Sequence, residues 1–147
     1  MGKPNEELDD ALYAKVLALS EEGNRLIEED DNLPAALDAY GEALALLPPP
    51  IERWDATLWL LIALGDSHFL LGQYDQAYDF LARAMRCPDA LGTPFIHLRL
   101  GEIQFERGNL DKAADELARA YMGDGPEIFD TEDPKYLTFL RTRMRGI

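Results

Sequence analysis

Few residues in this chain are of a type that does chemistry, and their spacing does not bring them together. There are two histidines, His68 and His97, and one cysteine, Cys87. A zinc site built on either histidine needs two or three more ligands at helical spacing. Glu102, five residues after His97, falls on a different helix face. Cys87 precedes Pro88 at a helix end, with no histidine placed by motif to activate its thiol. The acidic run Glu28-Glu29-Asp30-Asp31-Asn32 lacks the alternating ligands, central glycine and closing glutamate of a calcium loop. No phosphate-binding loop, dinucleotide fingerprint or nucleophile elbow occurs. The expectation is a protein without catalytic residues, metal or cofactor, and not an enzyme. The histidines then read as packed helix residues, the acidic run as a solvated helix end, and Cys87 as a structural thiol.

Charge narrows the partners. The chain of 147 residues carries a net charge of -14, with 47% hydrophobic and 29% charged residues. Such a balance repels phosphate backbones and anionic lipid, so neither nucleic acid nor membrane is an expected partner. It favours encounter with a basic protein or peptide. Residues 1–47 hold 12 acidic against 3 basic side chains, and residues 93–147 hold 10 against 8. One cysteine excludes an internal disulfide and fits a reducing, cytoplasmic setting. Residues 1–7 show neither the basic and apolar regions of a secretory signal nor, at Glu6, the Ser or Thr that myristoylation favours. The most apolar stretch, residues 58–64, is too short to span a bilayer. The length suits one domain, 1–147.

The elements that position these residues are set by an internal repeat. Residues 64–77 align without gaps on residues 100–113 at an offset of 36. The offset also pairs Gly65 with Gly101, Gly72 with Gly108, Ala77 with Ala113, Leu81 with Leu117 and Ala84 with Ala120. Gly65 and Gly101 mark where a second helix approaches closely. Gly72 and Gly108 end the first helix in a left-handed conformation. Asp75 and Asp111 open the second helix, where an acid complements the dipole. A looser copy spans Ala36, Tyr40 and Ala43, with Gly23 in its first helix. Gly23 to Ala36 is one residue longer than Gly65 to Ala77, which leaves the first helix's register open by one position.

The Leu-Gly pair, followed by Gly-x-[aromatic or Leu]-Asp-x-Ala, resembles the tetratricopeptide repeat, whose period is about 34 residues in two antiparallel helices. The resemblance implies an all-α, right-handed superhelix of three such repeats plus a C-terminal capping helix. The expected parts are repeat one at about 5–47, a proline-rich connector at 48–53, repeat two at about 54–90, repeat three at about 94–124 and the cap at about 133–145. The expected helices are about 5–29, 33–46, 53–71, 75–86, 94–107, 111–122 and 134–144. Pro48-Pro49-Pro50 suggests a stiff, extended joint. Asp133 and Pro134 suggest an N-cap and first helical residue.

The resemblance also implies a concave partner-binding groove. With the glycine at position eight, repeat two contributes Trp59, Ile62, Asp66 and Phe69, with Ala63 and Leu70 beside them. Repeat three contributes Phe95, Leu98, Arg99, Glu102 and Phe105, with Glu106. Of the Lys, Asn and Arg clamp by which one subfamily grips acidic tails, only Arg99 is present, since Phe95 and Ala63 stand at the other places. The whole chain is similar to small stand-alone bacterial tetratricopeptide proteins. That implies a module binding a peptide or protein segment, with two alternatives: an immunity or chaperone-type partner of a basic toxin or secreted protein, or a self-associating structural subunit forming a homo-oligomer.

Overall fold

The computed structural model describes residues 8–147. The expected helix start at residue 5, and the signal and acylation readings of residues 1–7, lie outside them. Among the described residues there are seven α-helices and no strand. They form two compact units, one ending at Ala90 and one spanning Leu91–Ile147. The division falls between the expected repeats two and three.

The first unit holds α1 (Asp10–Glu28), α2 (Leu33–Ala45), α3 (Asp55–Leu70) and α4 (Tyr74–Ala84). Consecutive helices pack as antiparallel pairs because small residues let them approach. A Cβ built on Gly65 would stand 2.6 Å from Leu81 Cγ, and one on Gly23 2.5 Å from Tyr40 Cε1. Both partners are buried, so these contacts are part of the interhelical core. Gly23 therefore holds in repeat one the place of Gly65 in repeat two. The extra residue is absorbed in the turn, where Asp31 takes φ 48°. Asp is among the few side chains that tolerate this left-handed conformation. Asn32 then caps α2, its side-chain oxygen accepting the Ala35 amide at 3.1 Å.

The connector is more than a stiff joint. After the prolines, Ile51–Arg53 form a 3₁₀ turn. Trp54 inserts into the core beside Tyr40, Leu47 and Leu60, and its indole N–H donates to the Pro48 carbonyl at 2.7 Å. Thr57, fully buried, donates its hydroxyl to the Ile51 carbonyl. The segment is thus fastened to its own unit.

The second unit holds α5 (Pro94–Glu106), α6 (Leu110–Asp124) and α7 (Pro134–Arg141). Gly101 against Leu117 repeats the Gly65–Leu81 contact, again at 2.6 Å from a Cβ. Gly72 and Gly108 end α3 and α5 at φ 75° and 79°, as their spacing suggests. Asp133 caps α7 through the Lys135 amide at 3.0 Å. No helix of the described residues is long and apolar enough to cross a membrane.

Candidate partner-binding face

The stripe expected to face a partner runs along α3 in one unit and along α5 in the other, and the two copies differ. On α3, Trp59 is 37% exposed, Ile62, Asp66 and Phe69 are half-buried, and Leu70 is exposed. Their spacing of three and four residues places them on one helix face. Phe69 leans on Tyr74 with ring centroids 5.7 Å apart.

On α5 the corresponding places are more deeply covered, with Phe95 and Phe105 half-buried. Leu98 and Arg99 are buried, and Glu102 has no exposed surface. The chain's own C-terminal segment lies on this face. The Arg99 guanidinium binds both the Glu102 and Glu132 carboxylates, and stands 5.0 Å over the Phe95 ring. Phe105 meets Tyr136 and Phe139 edge-on at 5.4 and 5.1 Å. The Tyr136 hydroxyl donates to Glu106 Oε2 at 2.6 Å, and Lys135 Nζ reaches the same oxygen at 2.7 Å. Leu98, Arg99 and Glu102 are therefore withdrawn from the expected ligand surface. The apolar stripe of α7 needs covering, and α5 supplies the matching face. Arg99, the one residue matching a clamp for acidic tails, is held by two internal carboxylates.

Glu102 shares this cluster with Arg99 and Glu132. One of its carboxylate oxygens, Oε2, is buried with no hydrogen bond. Burial pushes its pKa up to about 9, despite the pull of Arg99. Glu132 is held below the usual carboxylate range. Burial raises it, but its hydrogen bond with Glu102 and the charge of Arg99 outweigh that.

In the first unit a cavity of about 330 Å³ opens beside the α3 stripe. Asn24, Ile27 and Glu28 of α1 line it, with Tyr40 of α2 and Ala63, Asp66 and Ser67 of α3. The buried Tyr40 donates its hydroxyl to Asn24 Oδ1 at 2.6 Å. Burial raises the Tyr40 phenol pKa, and the Asp66 and Glu28 charges raise it further, so both carboxylates act on one point. Charge is concentrated in the same unit. Residues 1–90 hold 18 acidic against 6 basic side chains, and residues 91–147 hold 10 against 8.

The histidines and the cysteine are occupied. His68 stacks on Phe80 at 5.3 Å and bonds Gln73 at 2.7 Å. His97 pairs with Glu116 at 2.7 Å, joining α5 to α6. Cys87 is buried, and burial raises its thiol pKa. Among the described residues no three His, Cys, Asp or Glu converge as metal ligands.

No family model matches the sequence, and no curated protein matches it. Solved structures do match. The first tetratricopeptide domain of Spaghetti (RPAP3), bound to the HSP90 peptide SRMEEVD, is 18% identical with a TM-score of 0.65. That match covers 88% of this chain and 92% of that one. The Yersinia enterocolitica type III secretion chaperone SycD, in complex with a peptide of the translocator YopD, is 18% identical with a TM-score of 0.67. It covers 94% of this chain and 95% of its own. The C-terminal tetratricopeptide domain of a putative Plasmodium falciparum FK506-binding protein is 15% identical with a TM-score of 0.69, covering 95% and 93%. The chain has the tetratricopeptide-repeat fold.

In the tetratricopeptide frame, Gly23 at position eight puts Asn24, Ile27 and Glu28 at the ninth, twelfth and thirteenth positions of repeat one. These correspond to Asp66, Phe69 and Leu70 in repeat two. The cavity is thus lined from two successive repeats, with Asn24 and Asp66 at matching places and Tyr40 of α2 beside them. The residues on α1 were hidden from sequence reasoning by the uncertain register of that helix. The Gly23–Tyr40 contact is the signal that sets it.

Proposed function

We propose that the protein is a binding module for a peptide or protein segment, and that the segment lies along the open stripe of α3 and the adjoining cavity. The observation that carries this reading is the contrast between two equivalent helix faces. On α5 the chain fills the face with its own helix and ion pairs. On α3 it leaves Trp59 and Leu70 exposed, with Ile62 and Asp66 half-buried beside a cavity. A partly exposed aromatic next to a recess has the make-up of an interface anchor. Peptides bound to similar folds, in Spaghetti and in SycD, support the same use here.

The finer reading is a partner of basic character, as in a chaperone-type or immunity role. The net charge of the acidic unit favours it by steering such a segment toward the groove. The SRMEEVD peptide held by Spaghetti ends in acidic residues, whereas this cavity presents Glu28 and Asp66. The buried Cys87 thiol fits a reducing, cytoplasmic setting.

Selection of short random peptides on the immobilised full chain, followed by amide chemical-shift mapping of a selected binder, tests the reading. The expected footprint covers Trp59, Ile62 and Asp66 and spares Leu98 and Glu102. Trp59→Ala should weaken binding by ~1–3 kcal/mol without unfolding the chain. Absence of any binder, or a footprint confined to the outer faces of α2 and α4, would refute it.

A further inference from the structure

We propose that residues 132–141 form a strap over the repeat-three stripe of α5, fastened there by one proton that Glu102 shares with Glu132. Opening the strap bares Arg99, Glu102 and Phe105. The strap lies within the second unit and works whether or not the α3 face holds a peptide.

The geometry sets one guanidinium against two carboxylates. Arg99 Nη1 binds Oε1 of Glu102 and Oε1 of Glu132, and the three side chains are only 7%, 0% and 9% exposed. Arg99 is the cation that acts on both acids. The cluster therefore buries one positive charge against two negative ones. A buried surplus charge is costly, and two carboxyl groups sharing a site relieve it when one keeps its proton. The orphan Oε2 of Glu102 fits that state. A buried carboxylate oxygen needs a donor, whereas a protonated Glu102 becomes a donor itself, with Glu132 in reach to accept. Glu102 is the one to hold the proton, since it has no exposed surface.

The rest of the strap leans on this fastening. Phe129 is buried beside Tyr121 of α6, ring centroids 6.5 Å apart, so the chain up to that point is anchored separately. Beyond it, α7 has 8 residues, too few to stay helical once undocked. Tyr136 and Lys135 hold Glu106 of α5, and Tyr136 and Phe139 hold Phe105. Tyr136 and Leu140 are buried, so the closed form predominates. From α6, Asp111 pairs with Arg143 and Glu116 with His97. The charges acting on Glu102 are those of Arg99 and Glu132.

Closing the strap thus takes up a proton. Glu102 has an ordinary value near 4.5 in water and about 9 under the strap. Closure is strongest below the ordinary value and weakens by up to about tenfold per pH unit as pH rises toward about 9. Glu132, held low, weakens closure only on the acid side. The open form gains population through the neutral range.

Trypsin cleavage of the full chain after Lys135 reads the opening, because a site within a helix is cut from its opened form. Dividing the wild-type rate by that of Glu102→Gln at each pH removes the protease's own pH dependence and retains every other titrating group. Between about pH 7 and about pH 9 this ratio should rise tenfold or more. The first product should end at Lys135 with α6 still intact at Arg119. A ratio that stays level, or cleavage at Lys135 and Arg119 in step, overturns the strap. If Glu102→Gln fails to fold, a carbon-13 titration of the glutamate carboxyls in the wild type decides it. Glu102 should then titrate above neutral together with the amide signals of α7, and titration in the ordinary carboxylate range overturns the proposal.

Discussion

Replacing a glycine by alanine should have opposite effects at two helical positions of this protein. A mid-helix Gly→Ala change gains roughly 0.5–1 kcal/mol from backbone entropy where the new methyl has room. Gly41, in α2, has that room, since a Cβ there meets nothing within 4 Å. Gly101, in α5, does not. Its Cβ would stand 2.6 Å from Leu117 Cγ, 2.7 Å from Cδ2 and 3.0 Å from the Leu117 backbone nitrogen. Leu117 is fully buried, and a backbone atom cannot swing aside, so α5 and α6 must separate. Such overpacking costs about 1–3 kcal/mol, which exceeds the entropic gain. Gly41→Ala should therefore stabilise by up to ~1 kcal/mol and Gly101→Ala destabilise by ~1–2 kcal/mol. Gly65→Ala should fall between them, because the three nearest atoms there all belong to the Leu81 side chain. Urea denaturation followed by far-ultraviolet circular dichroism measures all three. A Gly101→Ala protein as stable as the wild type would refute the close-approach account of the repeat glycines.

Two further outcomes follow from burial. Phe105→Ala should destabilise the second unit by ~3–5 kcal/mol, because it removes a ring packed on both Tyr136 and Phe139; a thermal melt within a degree or so of wild type would show that α7 does not depend on it. Cys87 should react with a thiol reagent far more slowly in the native protein at neutral pH than after denaturation, since it is buried and its thiol pKa is raised.

The scaffold was legible in the sequence because the repeat writes each structural demand twice. Gly72 and Gly108 reveal a left-handed helix end, and Gly65 and Gly101 reveal a close approach, only when set 36 residues apart. The fit of the seven helices follows from that. The site was less legible. Position within a repeat specifies which way a side chain starts, but not what later covers it. Phe105 and Phe69 hold the same place, yet only Phe105 is followed by a helix whose Tyr136 and Phe139 come back to meet it. Trp54 falls at the start of repeat two in the sequence, where nothing reveals that its indole and Thr57 fasten the preceding connector to the core. The cavity residues Asn24 and Glu28 needed the register of α1, and a one-residue longer turn at Asp31 concealed it.

Glu102 provides a test of whether the covered face of α5 is held by a charged pair or a proton. Its pKa is raised from an ordinary value near 4.5 to about 9 by burial. A carboxyl group with a raised folded-state pKa lends stability that is fully present below its unfolded pKa. That stability is lost as pH rises from about 4.5 toward about 9, at most ~1.4 kcal/mol per pH unit. Glu132, held low, acts in the other direction and in another window: its contribution is present above its unfolded pKa and is lost as the solution becomes acid. Glu102→Gln keeps an acceptor for Arg99 and cannot ionise. At about pH 5 the variant should match the wild type, and by about pH 8 it should be the more stable of the two. Equilibrium unfolding at both values measures the difference. A variant less stable than wild type at the higher pH, by the several kcal/mol typical of a broken buried ion pair, would mean that Glu102 is ionised and that Arg99 outweighs its burial.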